Sequence, residues 1–413
     1  MGTERASALA PFRVRSFRFQ WPADLATSWA FEMENLILGW FILSTTGSVE
    51  QLVLFGALVW LGSLVSPFFG VLGDRVGFRA LLCATRAAYM VLAMILAALT
   101  LSGALATWHI FAVAALAGLM RPSDMVMRSV LVGQTIRPEL LVGALGISRT
   151  TSDTARIAGA LAGTGGVALI GMGPAYVVVT ALYAVAFLLS LGVAGPPARH
   201  AGEGAAKALA SLKLAAHYVW TKPDQLGAFA VAFLVNLLAF PFVLGLLPYV
   251  ARDVYAVDRA ALGYLAASWA CGALAGSLLL AAHLPLRPAR TMLVAAAVWF
   301  ATLLAFGQSS TMATGLVLLF VGGVAQSLCM TPLAAVMLRG ASEEMRGRVM
   351  GMRMLAIWGL PLGLVAAGPL IERLGFAACS VLYAGAGLAA TLIIAVKWKE
   401  ALWTRTAPAN SRL

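Results

Sequence analysis

Arg121, Asp124 and Arg128 stand three and four residues apart inside an apolar stretch, and Arg149, Ser152, Asp153 and Arg156 repeat that spacing in the next one. On a helix, which turns about 100° per residue, the first three fall within about 60° of one another and share a face. The second set forms a similar stripe, continued by Gly159 and Gly163. Carboxylates and guanidinium groups on such faces can do two things. If the faces meet, Asp124 and Asp153 each find an arginine across or along the helices and brace the structure as ion pairs. If they line a cavity, the same groups bind a charged solute or carry a proton. Both readings stand on the sequence alone.

An earlier stripe, Asp24, Ser28, Glu32, Asn35 and Gly39, lies within about 80° on its own helix and is expected to look into a cavity. Burial in an apolar cavity favours the protonated form of a carboxylate, which lets it load and release a proton near neutral pH. Glu32 is the first choice for that role; the alternative is a Glu32 held ionised by a neighbouring arginine. Glu34 falls at least about 80° outside the stripe and points to another helix, where pairing with an arginine of the fourth or fifth helix is expected. Glu34, Asp124 and Asp153 complete the candidates for proton coupling.

The later half supplies mostly neutral polar and aromatic groups: Asn236, Pro241, Trp269, Gln326 and Trp358, with Arg353. Such a wall suits an amphipathic or aromatic solute held by a few hydrogen bonds and many apolar contacts, although each aromatic has helix or lipid packing as its ordinary role. With Asn35, Arg121, Arg128, Arg149 and Arg156, the residues Asn236, Trp269, Gln326, Arg353 and Trp358 are the candidates for substrate binding. Arg353 either meets an anionic group or caps a helix end.

Elements that hold these charges must do so in an apolar medium. Of the 413 residues, 61% are hydrophobic and 11% charged, against about 25% charged in an ordinary soluble domain. The mean hydropathy of +0.89 belongs to the whole chain rather than to one segment. An all-α integral membrane protein follows, with no large soluble domain. A span needs roughly 20 apolar residues, and the interruptions leave twelve such runs: 22–46, 51–73, 80–102, 107–133, 141–170, 174–195, 226–251, 259–283, 289–310, 312–337, 350–374 and 376–396. With both termini cytoplasmic, the inner segments hold 20 Lys and Arg residues, whereas the outer loops hold only Arg252, Arg259 and Arg373. Cytoplasmic segments carry such an excess, so a multi-pass protein of the cell inner membrane is expected.

The longest polar interruption contains the amphipathic stretch Lys207 to Lys213, which reads as an interfacial helix between two six-span halves. The expected units are residues 1–195, the linker 196–225, and 226–413. A shift of 204 superimposes Gly143 on Gly347, Arg149 on Arg353, Gly159 on Gly363 and Gly171 on Gly375, as if the halves were duplicated. Two such pseudo-symmetric bundles with a wet chamber between them are a known solution for secondary transporters.

Several classes are disfavoured. The net charge of +12 comes from dispersed residues rather than a basic stripe, so nucleic acid is not expected. The four cysteines lack CxxC spacing, the four histidines are scattered, and no GxSxG, P-loop or HExxH occurs. An enzyme, a metal and a cofactor are therefore not expected. No cleavable leader precedes the first run, which reads as a retained helix.

The segment Gly70-Val-Leu-Gly73-Asp74-Arg75-Val-Gly77-Phe-Arg79, between the second and third runs, resembles the GxxxDRxGRR signature of the major facilitator superfamily. The resemblance implies a gating loop: Asp74 caps or pairs with a neighbouring helix end while Gly70 and Gly77 permit close packing, so that Gly70, Gly73, Asp74, Arg75, Gly77 and Arg79 hold one face of a carrier shut. Phe17-Arg18-Phe19, Leu38-Gly39-Trp40, Thr46-Gly47-Ser48, Ala155-Arg156-Ile-Ala-Gly159 and Arg346-Gly347-Arg348-Val349-Met350-Gly351 resemble the branch that contains enterobactin and multidrug exporters. Ala160 departs from that pattern where many antiporters carry proline, and the matching loop at His283 to Arg290 lacks the acid. The resemblance implies a monomeric, proton-coupled exporter of a small drug- or siderophore-like molecule working by alternating access. Uptake or flipping of an anionic solute or lysolipid is the alternative, suggested by arginines that match or outnumber the nearby acids.

Overall fold

The computed structural model describes residues 10–63, 72–73, 75–195, 205–281, 287–342 and 345–404. The apolar runs become helices. α1 (Arg15–Thr46), α2 (Val49–Val59), α3 (Phe78–Leu101), α4 (Thr107–Thr135), α5 (Pro138–Ile170) and α6 (Met172–Ser190) form a first bundle. α7 (Ala205–Thr221) leads to α8 (Pro223–Leu238), α9 (Arg259–Ala281), α10 (Pro288–Gln308), α11 (Met312–Gly340), α12 (Arg346–Leu355), α13 (Gly359–Leu374) and α14 (Phe376–Lys397). Among the described residues, eight helical stretches are long and apolar enough to cross a membrane. α1 and α5 are longer still but carry the charges, and α2 and α8 are shorter apolar helices. Outward-facing Leu54, Val91, Ile95, Val178, Leu278 and Ile393 are exposed, as a surface bathed in hydrocarbon requires.

Local chemistry sets the ends. Proline opens α5, α8 and α10, where a missing N–H leaves no bond unmade. Ser48 Oγ accepts the Gln51 N–H at 3.3 Å to start α2. α1 begins at Arg15, earlier than its apolar run, because a helix needs only the backbone and the first turns can be polar. Two runs are not continuous. The seventh breaks after α8 into Phe240–Leu244, Leu247–Tyr249 and a wide turn at Val250–Val254, since Pro241 and Pro248 donate no backbone bond. The eleventh is interrupted by a tight turn at Ala356–Trp358, where Pro361 cannot bond the carbonyl of Ile357.

The duplication has a backbone counterpart. Gly171 (φ 82°, ψ 170°) and Gly375 (φ 81°, ψ 164°) make the same left-handed connection between α5 and α6 and between α13 and α14, a conformation that favours glycine. Gly159 and Gly363 also correspond, because each lets its helix press on the first helix of its bundle. A Cβ on Gly159 would come within 2.8 Å of Glu32 Cβ, and one on Gly363 within 2.9 Å of Pro241 Cγ.

The bundles meet through α2 against α13, α5 against α9, and α1 against Leu247–Tyr249. These contacts lie toward the face opposite the chain termini. A Cβ on Gly39 would approach Pro248 Cγ to 3.3 Å, one on Gly56 would approach Leu364 Cδ1 to 3.0 Å, and one on Gly368 would approach Val53 Cγ2 to 2.9 Å. Leu36, Trp40, Val49, Val53, Ala57 and Ala160 of the first bundle accordingly belong to the same continuous core as the second bundle. At the termini's face, α7 is tied to the second bundle: Tyr218 Oη donates to Gly340 O at 3.1 Å and accepts from Lys222 Nζ at 2.6 Å.

Candidate functional site

A polar cavity lies inside the first bundle and encloses about 890 Å³ of empty space, including the part open to solvent. α1 contributes Ser28, Phe31, Glu32, Glu34 and Asn35; α4 contributes Gly118, Arg121, Asp124 and Arg128; α5 contributes Ser152 and Arg156; Tyr89 and Tyr183 come from α3 and α6. Ser28, Glu32 and Asn35 of the first expected stripe, all three charged residues of the α4 stripe, and Ser152 and Arg156 of the α5 stripe thus reach one chamber, with glycines setting the approach. A Cβ on Gly163 would sit 2.7 Å from Met33 Cα, so α1 and α5 touch almost backbone to backbone.

Three charge arrangements surround the chamber. In the first, Arg86 of α3 pairs with Asp24 of α1 and lies 3.5 Å from Asp124, while Arg128 lies 2.6 Å from Asp124 and 3.5 Å from Asp24. Arg86 is wholly buried, and its Nη1 also donates to Ser190 Oγ at 2.6 Å. Two cations facing two anions satisfy one another, which is the condition for burying them. In the second, Arg156 Nε donates to Glu32 Oε1 at 3.4 Å across the α1–α5 contact. In the third, Glu34 accepts hydrogen bonds from Tyr183 Oη at 2.9 Å and Tyr176 Oη at 3.3 Å, both on α6.

Arg121 stands apart. Its guanidinium lies over the ring of Phe31 and 5.4 Å from the ring centroid of Trp60, and its buried Nε has no hydrogen-bond partner. Among the described residues it makes no ion pair.

A second chamber, lined by Trp21, Asp24, Met125, Arg128, Ser129 and Ser152 among others, shares Met125, Arg128 and Ser152 with the first and continues it toward the termini's face. On the other side the space narrows to a small pocket of about 280 Å³ between Asn35, Gly39, Phe55, Leu244 and Pro248. There Arg252 Nη1 donates to Leu43 O at the end of α1, and Arg259 lies 5.9 Å from the Trp40 ring. The cavity is thus closed at the face where the bundles touch and continued at the other.

Several expectations change. The chamber wall is built by the first bundle, not by both lobes. Asn236 Nδ2 bonds Ala232 O of its own helix at 2.8 Å, and Trp269 packs 5.6 Å from Trp299. Gln326 is buried with an unpartnered Oε1, Trp358 has a buried and unpartnered Nε1, and Arg353 is half-buried. None of these five lines the chamber. Glu34 hydrogen-bonds tyrosines of α6 rather than forming an ion pair with an arginine, although it shares the chamber wall with Arg121 of α4. Glu32 has Arg156 as its neighbour, which is the alternative weighed for it. Asp153 is buried in α5 away from the chamber wall, and the side chain of Arg149 lies outside the described residues. Of the loop signature, Gly70 and Asp74 lie outside the described residues. Gly77 takes φ 96° at the start of α3, its N–H bonds Gly73 O at 2.8 Å, and Arg79 Nη2 donates to Leu191 O at 2.7 Å; Arg75 is exposed. The described part therefore anchors the loop to the end of α6.

Arg86, Tyr89, Tyr176 and Tyr183 were not singled out as site residues. Arg86 carries a signal, being a charge inside an apolar run, but its own helix holds no acidic residue to pair with it. The tyrosines carry none, since an aromatic side chain in a span has helix packing or the membrane interface as its ordinary place.

A family model described as Major Facilitator Superfamily matches residues 23–366. Among solved structures, the chain is similar to a bacterial homolog of the human lysosomal transporter Spinster, with TM-score 0.71, 14% identity, and coverage of 99% of this chain and 100% of that one. It is similar to the nucleoside transporter NupG, with TM-score 0.71 and 13% identity over 93% of this chain and 99% of that one. It is similar also to the human organic anion transporter MFSD10 (TETRAN), with TM-score 0.66 and 14% identity over 92% of this chain and 99% of that one. No curated protein sequence matches.

Proposed function

The chain belongs to the major facilitator superfamily, and from that membership we propose that it is a proton-coupled transporter of a small organic solute, which it carries in the first-bundle chamber by alternating access. It is a multi-pass membrane transporter rather than an enzyme. The observation that carries the proposal is a charged chamber, set among apolar helices, that continues toward one face and is packed shut at the other. The excess of Lys and Arg on the termini's side supports a cytoplasmic orientation for that face, and in that orientation the chamber continues toward the cytoplasm.

The proton site moves from Glu32 to Glu34. Protonating Glu32 abandons the Arg156 cation, whereas Glu34 is held by two neutral hydroxyls and can lose its charge without breaking an ion pair. Export by proton exchange is the direction implied by the resemblance. The second reading, uptake or flipping of an anionic solute or lysolipid, is favoured by Arg121, a cation in the chamber wall with no carboxylate partner among the described residues.

A thermal-shift screen of the purified chain against organic anions, cations and neutral aromatics finds a stabilising solute, whose flux is then followed in proteoliposomes. Accumulation driven by a proton gradient, reduced to simple exchange in Glu34→Gln, supports the proposal. Flux indifferent to the gradient, or unchanged coupling in Glu34→Gln, excludes it.

A further inference from the structure

The charges around the chamber do not cancel pair by pair. Asp24 and Asp124 balance Arg86 and Arg128, and Glu32 balances Arg156. Glu34 of α1 and Arg121 of α4 remain in the wall, without an ion pair between them. The groups that face Glu34 are Tyr176 and Tyr183 of α6, Tyr89 of α3 with its ring 5.6 Å from that of Tyr183, and Arg121 of α4; Glu32 and Arg156 are engaged with each other, and α2 presents only apolar Phe55 and Val59. A neutral carboxyl group still bonds phenol oxygens, so Glu34 keeps its position in either charge state. Arg121 stays charged at every relevant pH. Protonation of Glu34 therefore turns an electrically neutral wall into one with an uncompensated cation, placed between the rings of Phe31 and Trp60.

We propose that Arg121 is the recognition residue for an organic monoanion with an aromatic or planar body, and that the anion occupies the chamber together with a proton on Glu34. The guanidinium offers paired donors that match a carboxylate or sulfonate, and the Phe31, Phe55 and Tyr89 rings of the chamber wall take the apolar body. Two states of the chamber are neutral: empty with Glu34 ionised, and loaded with proton plus anion. A net charge enclosed in a low-dielectric bundle is costly, so the conformational change proceeds from these two states. Proton and anion then travel in the same direction, and an inward proton gradient drives uptake. The inference rests on the second reading above, uptake of an anionic solute rather than export, and adds the chemical class of that anion and the coupling sense.

The test uses the purified full chain in detergent with benzenesulfonate, which is ionised throughout the pH range, alongside benzyltrimethylammonium and benzyl alcohol as cationic and neutral counterparts. Benzenesulfonate is expected to bind roughly tenfold or more tightly at about pH 5.5 than at about pH 7.5. Arg121→Gln loses that binding at both pH values, Arg121→Lys keeps part of it, and Glu34→Gln binds equally at both pH values at the level seen in acid. Thermal midpoints identify variants that fail to fold, and the Lys and Glu34 variants decide the matter if the Gln variant does. Binding of the cation or the alcohol in place of the sulfonate, no sulfonate binding, or sulfonate binding indifferent to Arg121→Gln each overturns the inference. In proteoliposomes containing a pH-sensitive dye, inward benzenesulfonate acidifies the lumen. Sulfonate binding that requires Arg121 but brings no proton with it overturns this inference together with the proton coupling proposed above; coupled flux of another solute without sulfonate binding removes this inference alone.

Discussion

Glu34 accepts a 2.9 Å hydrogen bond from the phenol of Tyr183, which ties the middle of α1 to α6 through a neutral donor. Glu32, two residues earlier, is tied to α5 through the cation of Arg156. The two carboxylates therefore differ in what protonation disturbs.

Glu34→Gln is expected to abolish gradient-driven accumulation while leaving solute exchange within roughly a factor of three of wild type, because the amide keeps a hydrogen bond to Tyr183 but cannot release a proton. Glu32→Gln is expected to keep coupling and to raise the affinity for an anion instead, since Arg156 is freed. Parallel counterflow and gradient-driven assays read the two apart, and equal behaviour of the variants would contradict the distinction.

Asp24→Asn is expected to destabilise the protein by roughly 3–5 kcal/mol, as does removing one partner of any buried ion pair. Among the described residues, Arg86 is then left with Asp124 at 3.5 Å as its remaining carboxylate. The double variant Asp24→Asn/Arg86→Gln should recover part of the loss, which a double-mutant cycle of unfolding free energies measures. Additive effects would mean that the pair is not coupled.

Arg252→Ala is expected to loosen the face opposite the termini, because Arg252 bonds the Leu43 carbonyl across the bundle contact. Each lost kcal/mol of latch moves the equilibrium roughly fivefold. In a background where Cys83, Cys271, Cys329 and Cys379 are replaced, the labelling rate of Asn35→Cys by an impermeant maleimide from that face should rise by about that factor. An unchanged rate would assign Arg252 to packing alone.

Gly163→Leu is expected to push α1 away from α5, since even a Cβ there would lie 2.7 Å from Met33 Cα. Overpacking of this kind costs roughly 1–3 kcal/mol, and the Glu32–Arg156 contact should part with it. The check is a lower thermal midpoint together with loss of transport; a variant with both intact would show that the contact is not needed.

The spans were legible because membrane burial writes itself into composition: roughly 20 apolar residues are required to cross, and the described runs are largely helical, the seventh and eleventh with interruptions. The duplication was legible in glycines, since a left-handed φ admits few other residues, and Gly171 and Gly375 take up that conformation at equivalent junctions. The interruptions at Ala356–Trp358 and after Leu238 were less visible. A proline marks a possible break, but Pro22, Pro122 and Pro332 sit inside continuous helices.

Helical spacing by itself determined that Asp24, Ser28, Glu32 and Asn35 share a side of α1, and that Arg121, Asp124 and Arg128 share one of α4, because a residue's direction from its own helix axis depends only on its position. Which helix each side meets was decided by the tertiary structure alone. The rotation of α1 within the bundle gave Glu34 to Tyr183 and Tyr176, brought the solitary Arg86 to Asp24, and left Arg121 on Phe31. Partners across a bundle are chosen by packing between helices far apart in the chain, and that information is not local to any stripe.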